Sequence, residues 1–152
     1  MFGSLKALIS DLTNAGTEHF EDDDHRLATA ALCVHLISID GEVTEDEHKM
    51  LRTALMKQYG LTSKETDSLV KDAEIRDREA VDLYSFTKVL KRNLDEDGRA
   101  RIVELLWQLV YADGVVHEFE DNIVWRVAEL LGISTRRRML LKKRVATGDK
   151  KD

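Results

Sequence analysis

Proline is absent from all 152 residues, and cysteine occurs once, at Cys33. Without proline, glycine and capping residues must start and stop the elements. A lone thiol cannot form an internal disulfide, so the expected compartment is the reducing cytoplasm. No apolar run approaches the roughly 20 residues needed to cross a bilayer. The opening Met-Phe-Gly-Ser-Leu-Lys-Ala-Leu-Ile-Ser-Asp lacks both the basic start and the small-residue cleavage site of a secretory signal. A Gly-rich phosphate loop, a Ser nucleophile elbow and a recognisable His/Cys pairing are all missing. The expectation is a protein that is not an enzyme and has no catalytic residues. Nor does any stretch alternate with period two over a strand's length, which argues against a sheet.

What the chain does have is a stretch that occurs twice. Asp40-Gly-Glu-Val-Thr-Glu-Asp-Glu47 and Asp113-Gly-Val-Val-His-Glu-Phe-Glu120 both read Asp-Gly-x-Val-x-x-x-Glu, 73 residues apart. The offset holds upstream, where Arg26 pairs with Arg99, Leu32 with Leu105 and Ile37 with Val110. Downstream, Leu51 pairs with Val124 and Leu55 with Ala128. It then slips by one, so that Tyr59-Gly-Leu61 faces Leu131-Gly-Ile133. Two copies are too few for a solenoid. The expected fold is all-α: a single-domain bundle of seven to eight short helices containing an internally duplicated helix-turn-helix. Residues 26–60 and 99–132 should form related hairpins.

Two readings of the repeated turn stand side by side. In one, Gly41 ends a helix in the left-handed conformation, Thr44 caps the next, and Glu47 completes a capping box. Nothing in that account needs a ligand. In the other, the Asp at each helix C-terminus is the anomaly, because that end repels anions. If the halves pack about a pseudo-two-fold axis, Asp40, Glu47, Asp113 and Glu120 converge, and four carboxylates repel one another unless a proton or cation intervenes. Hard oxygen ligands suit calcium or magnesium. The turn matches only the second half of an EF-hand loop. The early ligand positions fall on Leu36 and Ser38, and on Leu109 and Tyr111, so an ion would be shared between copies or held with several waters.

The paired turns, the apolar helices before them and the Leu-Gly-Ile ending near Gly132 resemble the TerB (tellurite-resistance) family over about residues 22–146. The resemblance implies an all-α fold and an acidic cluster associated with metal, which falls here on Asp40, Glu47, Asp113 and Glu120. It also implies a non-enzymatic role in stress- or metal-linked assemblies with protein partners at the inner membrane. Family modules also occur fused to J-domains. This chain has no His-Pro-Asp tripeptide, so it is not itself a J-domain co-chaperone.

Three segments follow in order: 1–21, an N-terminal helix over Ser4 to about Thr13 with an acidic linker; 22–146, the helical domain; and 147–152, a charged tail. Helices are expected from about Asp23 to Ile39, from Thr44 to Tyr59, and after the capping box Thr62-Ser-Lys-Glu65. Arg76-Asp-Arg-Glu79 reads as a charged link to a helix from about Asp82. Asn93-Leu-Asp-Glu-Asp-Gly98 reads as the turn before the second repeat, whose first helix runs to Ala112. The next helix ends at Gly132, and a last, basic helix capped by Ser134 holds Met139, Leu140, Leu141 and Val145. Trp107 and Trp125 fall on core-type helices, and Cys33 is expected as a buried structural thiol.

The net charge of −6 is unevenly spread. Residues 134–152 hold eight Lys or Arg against two Asp, a net +6, so the rest of the chain carries −12. No aromatic residue interleaves with those cations to stack on bases. The expected counterpart is an acidic partner, an anionic lipid surface or the protein's own acidic face, not nucleic acid.

Overall fold

The computed structural model describes residues 20–39, 43–112 and 118–147. These stretches form seven helices: α1 (His25–Ile37), α2 (Glu45–Tyr59), α3 (Ser63–Glu79), α4 (Tyr84–Asn93), α5 (Glu96–Val110), α6 (Glu118–Leu130) and α7 (Thr135–Ala146). No strand occurs among the described residues. The all-α expectation holds, while the helix expected over Ser4–Thr13 and the tail beyond Thr147 lie outside the described residues.

The bundle is built around α1. Asp24 caps it, accepting from the Arg26 N–H at 2.9 Å, and the Arg26 side-chain hydrogen bond holds the Asp24 carboxyl below the usual carboxylate range. Spacing alone points Leu27, Ala30, Ala31, Val34 and Ile37 inward. The helix in fact buries Leu27 through Val34 without a break, then Leu36 and Ile37. Small residues make this possible. Ala28, Ala30, Ala31 and Cys33 let neighbours approach on every side, so α1 packs against α2, α3, α4, α5 and α6. Thr29 is fully buried and satisfied by the Tyr59 hydroxyl, which donates to its Oγ1 at 2.8 Å. Burial pushes the Cys33 thiol up to about 12, so Cys33 is the buried, inert thiol that its apolar setting predicts.

The two hairpins, α1–α2 and α5–α6, repeat one another in packing as well as in sequence. Leu32 and Leu105, Cys33 and Leu106, Ile37 and Val110, Leu51 and Val124, and Leu55 and Ala128 are buried in both copies. Both end alike. Gly60 (φ 63°) and Gly132 (φ 75°) adopt the left-handed conformation. Behind them the Leu61 N–H donates to the Met56 carbonyl and the Ile133 N–H to the Ala128 carbonyl, each spanning five residues as in a Schellman ending. A Cβ at either glycine would meet nothing within 4 Å. The effect of Gly60→Ala or Gly132→Ala is therefore purely a backbone one, expected at about 1–2 kcal/mol each and read from a lower urea midpoint.

Three local expectations are corrected, and the face of the last helix is resolved. Arg76–Glu79 is no link but the last turn of α3, since Arg and Glu are good helix formers and nothing there breaks the helix. Asn93–Gly98 is not a free turn. Asp95 caps α5 by accepting from the Gly98 N–H at 2.8 Å, which draws Glu96, Asp97 and Gly98 into the first turn. The helix ends fall inside those read from sequence, at Ile37 and Val110. On α7 only Leu141 is buried. Met139 and Leu140 are 59% and 58% exposed, because three successive residues span too wide an arc of a helix to share one face.

Candidate functional site: the repeated acidic turns

Each turn leaves one helix and enters the next. In the first copy Ser38 closes α1, its Oγ donating to the Val34 carbonyl at 2.6 Å. Thr44 then caps α2. Its Oγ1 accepts from the Glu47 N–H at 3.1 Å, while Glu47 Oε1 accepts from the Thr44 N–H at 2.9 Å. The capping box is therefore complete, and one oxygen of Glu47 belongs to it. Glu45, Asp46 and Glu47 all lie in the first turn of α2, against the positive end of the helix.

The second copy repeats the placement. Glu118, Glu120 and Asp121 occupy the first turn of α6, and half-buried Glu120 stands where Glu47 stands in α2. Asp40 and Asp113 lie outside the described residues, as does His117, expected as a poorer cap. Among the described residues no three His, Cys, Asp or Glu side chains gather as a metal would require. A cation at the turns would therefore depend on Asp40 and Asp113 together with the two glutamates.

The basic end is largely answered from within. Arg137 meets Asp97 at 2.9 Å and Glu96 at 3.4 Å, Lys142 meets Asp121 at 2.9 Å, and Arg144 meets Glu104 at 2.9 Å. Arg138 donates to the Ile133 carbonyl at 2.8 Å and lies over Trp125, 5.8 Å from the ring centroid. So α7 is fastened to α5 and α6 by charge, and the protein's own acidic face takes up much of the positive segment. Arg136 and Lys143 form no ion pair among the described residues.

One constellation was not legible in the sequence. His35 and Asp77 are 42 residues apart, yet the imidazole Nδ1 lies 2.9 Å from Asp77 Oδ1. An ionised carboxylate only accepts, so Nδ1 donates. The pair lines a concavity of about 320 Å³ between α1, α3, the 80–83 link, α4 and α6, shared with Asp82, Tyr84, Arg126 and Leu130. The only sequence signal was a histidine in the last turn of a core helix, a place where a cationic or donor side chain is favoured.

Comparison with known proteins bears on fold and family. No curated protein matches the chain. A crystal structure of a protein of unknown function from Porphyromonas gingivalis W83 is similar, with TM-score 0.59 at 15% identity over 84% of this chain and 98% of that one. At that identity the likeness speaks for the fold alone. The profile of the family described as Tellurite resistance protein TerB matches residues 26–143, a span that runs from the start of α1 into α7 and takes in both acidic turns. The chain belongs to the TerB family.

Proposed function

We propose that this protein is a non-enzymatic TerB-type adaptor or sensor whose duplicated acidic turns hold a divalent cation, calcium or magnesium, through Asp40, Glu47, Asp113 and Glu120. Its setting is a tellurite-, metal- or general stress response, with protein partners, in the cytoplasm and peripheral to the inner membrane. No helix among the described residues is long and apolar enough to cross a membrane. The observation that carries this reading is the repetition itself. Inside a single family match, two hairpins with the same buried positions and the same ending each set an acidic turn before a helix and a glutamate in its first turn. Helix capping accounts for one such glutamate at a time and gives no reason for the Asp in front of both.

A second reading has its own support. Glu47 is engaged in its capping box, and a module that docks partners through an acidic face or through α7 needs no metal. Thermal melting separates the two. Calcium or magnesium at a hundredfold excess over its dissociation constant should stabilise the wild type by about 2.7 kcal/mol. Asp40→Asn/Asp113→Asn should lose that response, and Glu47→Gln, which can still cap, should weaken it without lowering the metal-free melting temperature. A wild-type melting temperature indifferent to both ions would discard the cation and leave the docking module.

A further inference from the structure

We propose that the concavity closed by α1, α3, α4 and α6 binds a small zwitterion, a free α-amino acid with an apolar side chain. The observation is a set of opposite charges that share one cavity without cancelling. Arg126 makes no ion pair among the described residues, although Asp77 and Asp82 line the same space. Asp82 Oδ1 accepts the Tyr84 N–H at 3.0 Å, and Asp77 Oδ1 accepts from His35. The second oxygen of each has no partner among the described residues.

A ligand of one charge fits badly. A lone carboxylate matches Arg126 but faces two aspartates, together with the C-terminal ends of α1, α3 and α6, which carry partial negative charge. A lone amine matches those groups but faces the guanidinium. A molecule bearing both charges meets both sets. Its ammonium group goes to Asp77 and Asp82, and its carboxylate goes to Arg126. Leu83, Leu130 and the ring of Tyr84 supply the apolar wall, and about 320 Å³ lies at the small-ligand end of the roughly 300–1,000 Å³ seen for binding pockets. The site is separate from the acidic turns and does not rest on the cation reading.

Isothermal titration of the full chain tests it with three probes of one skeleton: L-leucine, isocaproate, which lacks the amine, and isoamylamine, which lacks the carboxylate. L-leucine should bind, and each single-charge analogue should bind at least about tenfold more weakly. Arg126→Gln and Asp82→Asn should each weaken leucine binding by about tenfold. Arg126 and Asp82 are exposed, and Asn keeps an acceptor for the Tyr84 N–H, so the melting temperature should hold in both. Asp40→Asn/Asp113→Asn should bind leucine as the wild type does. No heat with millimolar leucine, equal binding of isoamylamine, or wild-type affinity in both pocket variants would overturn the assignment.

Discussion

Trp107→Ala is expected to lower the unfolding free energy by about 3–5 kcal/mol, a loss of roughly 10 °C or more in a chain of this size. Trp107 is fully buried on α5 and joins two parts of the bundle. Its ring stands edge-on to Trp125 of α6, with centroids 5.9 Å apart and planes at 77°, and Lys142 of α7 lies 5.1 Å from its centroid. Truncation opens a cavity and removes the surface on which α6 and α7 rest. The indole N–H has no hydrogen-bond partner among the described residues, so the ring is held by packing and not by its polar handle. Trp107→Phe should therefore be much milder, at about 1–2 kcal/mol. Urea titrations of both variants read the difference. Equal losses in Ala and Phe would show that the N–H matters after all, and a loss under about 1 kcal/mol for Ala would contradict the packing described.

The second large effect is alkaline. Cys33 lies inside α1 with no exposure, and burial raises its thiol from 9.0 to about 12. The folded protein keeps this proton where the unfolded chain releases it. Stability is thus complete below about pH 9 and falls by about 1.4 kcal/mol per unit as pH rises toward 12. Tyr59 acts in the same direction from higher pH. Burial drives its phenol upward, and the hydrogen bond to Thr29 only partly opposes this. The prediction is a urea midpoint that declines from about pH 9, and a Cys33→Ala variant whose midpoint stays level until tyrosine begins to ionise near pH 10. Parallel curves for the two proteins would show that the thiol is not shielded. Thiol labelling at neutral pH gives an independent reading: Cys33 should react only as fast as the bundle opens.

The sequence carried the elements more faithfully than their faces. Capping boxes at Thr44 and Thr62, the cap at Ser134, and the endings at Gly60 and Gly132 are local chemistry, and local chemistry is written in consecutive residues. The faces of α1 and α7 are not local. Spacing could nominate five inward positions on α1, but whether Ala28 and Thr29 are also covered depends on helices that arrive later in the chain. On α7, three apolar residues in a row left the spacing ambiguous, and only the approach of α5 and α6 selects Leu141. The pairing of His35 with Asp77 shows the same limit, since neither residue is unusual in its own segment. Within the candidate site, Glu47 was legible as a cap, because its capping-box spacing from Thr44 is local.

The central position of α1 has a consequence for how the chain comes into being. Synthesis delivers α1 before any of the described helices that cover it; its contacts with α3 can close once Glu79 is made, and those with α4 not until Asn93, at the end of α4, is available. That is 56 residues after Ile37, or about 3–11 s at ordinary elongation rates of roughly 5–20 residues per second. For the first 42 of those residues, until α3 is complete at Glu79, this largely apolar segment has only the less apolar α2 beside it among the described helices. The feature that gives the finished bundle one shared core also gives the nascent chain its most exposed moment, when it is open to chaperones and to aggregation with other copies of itself.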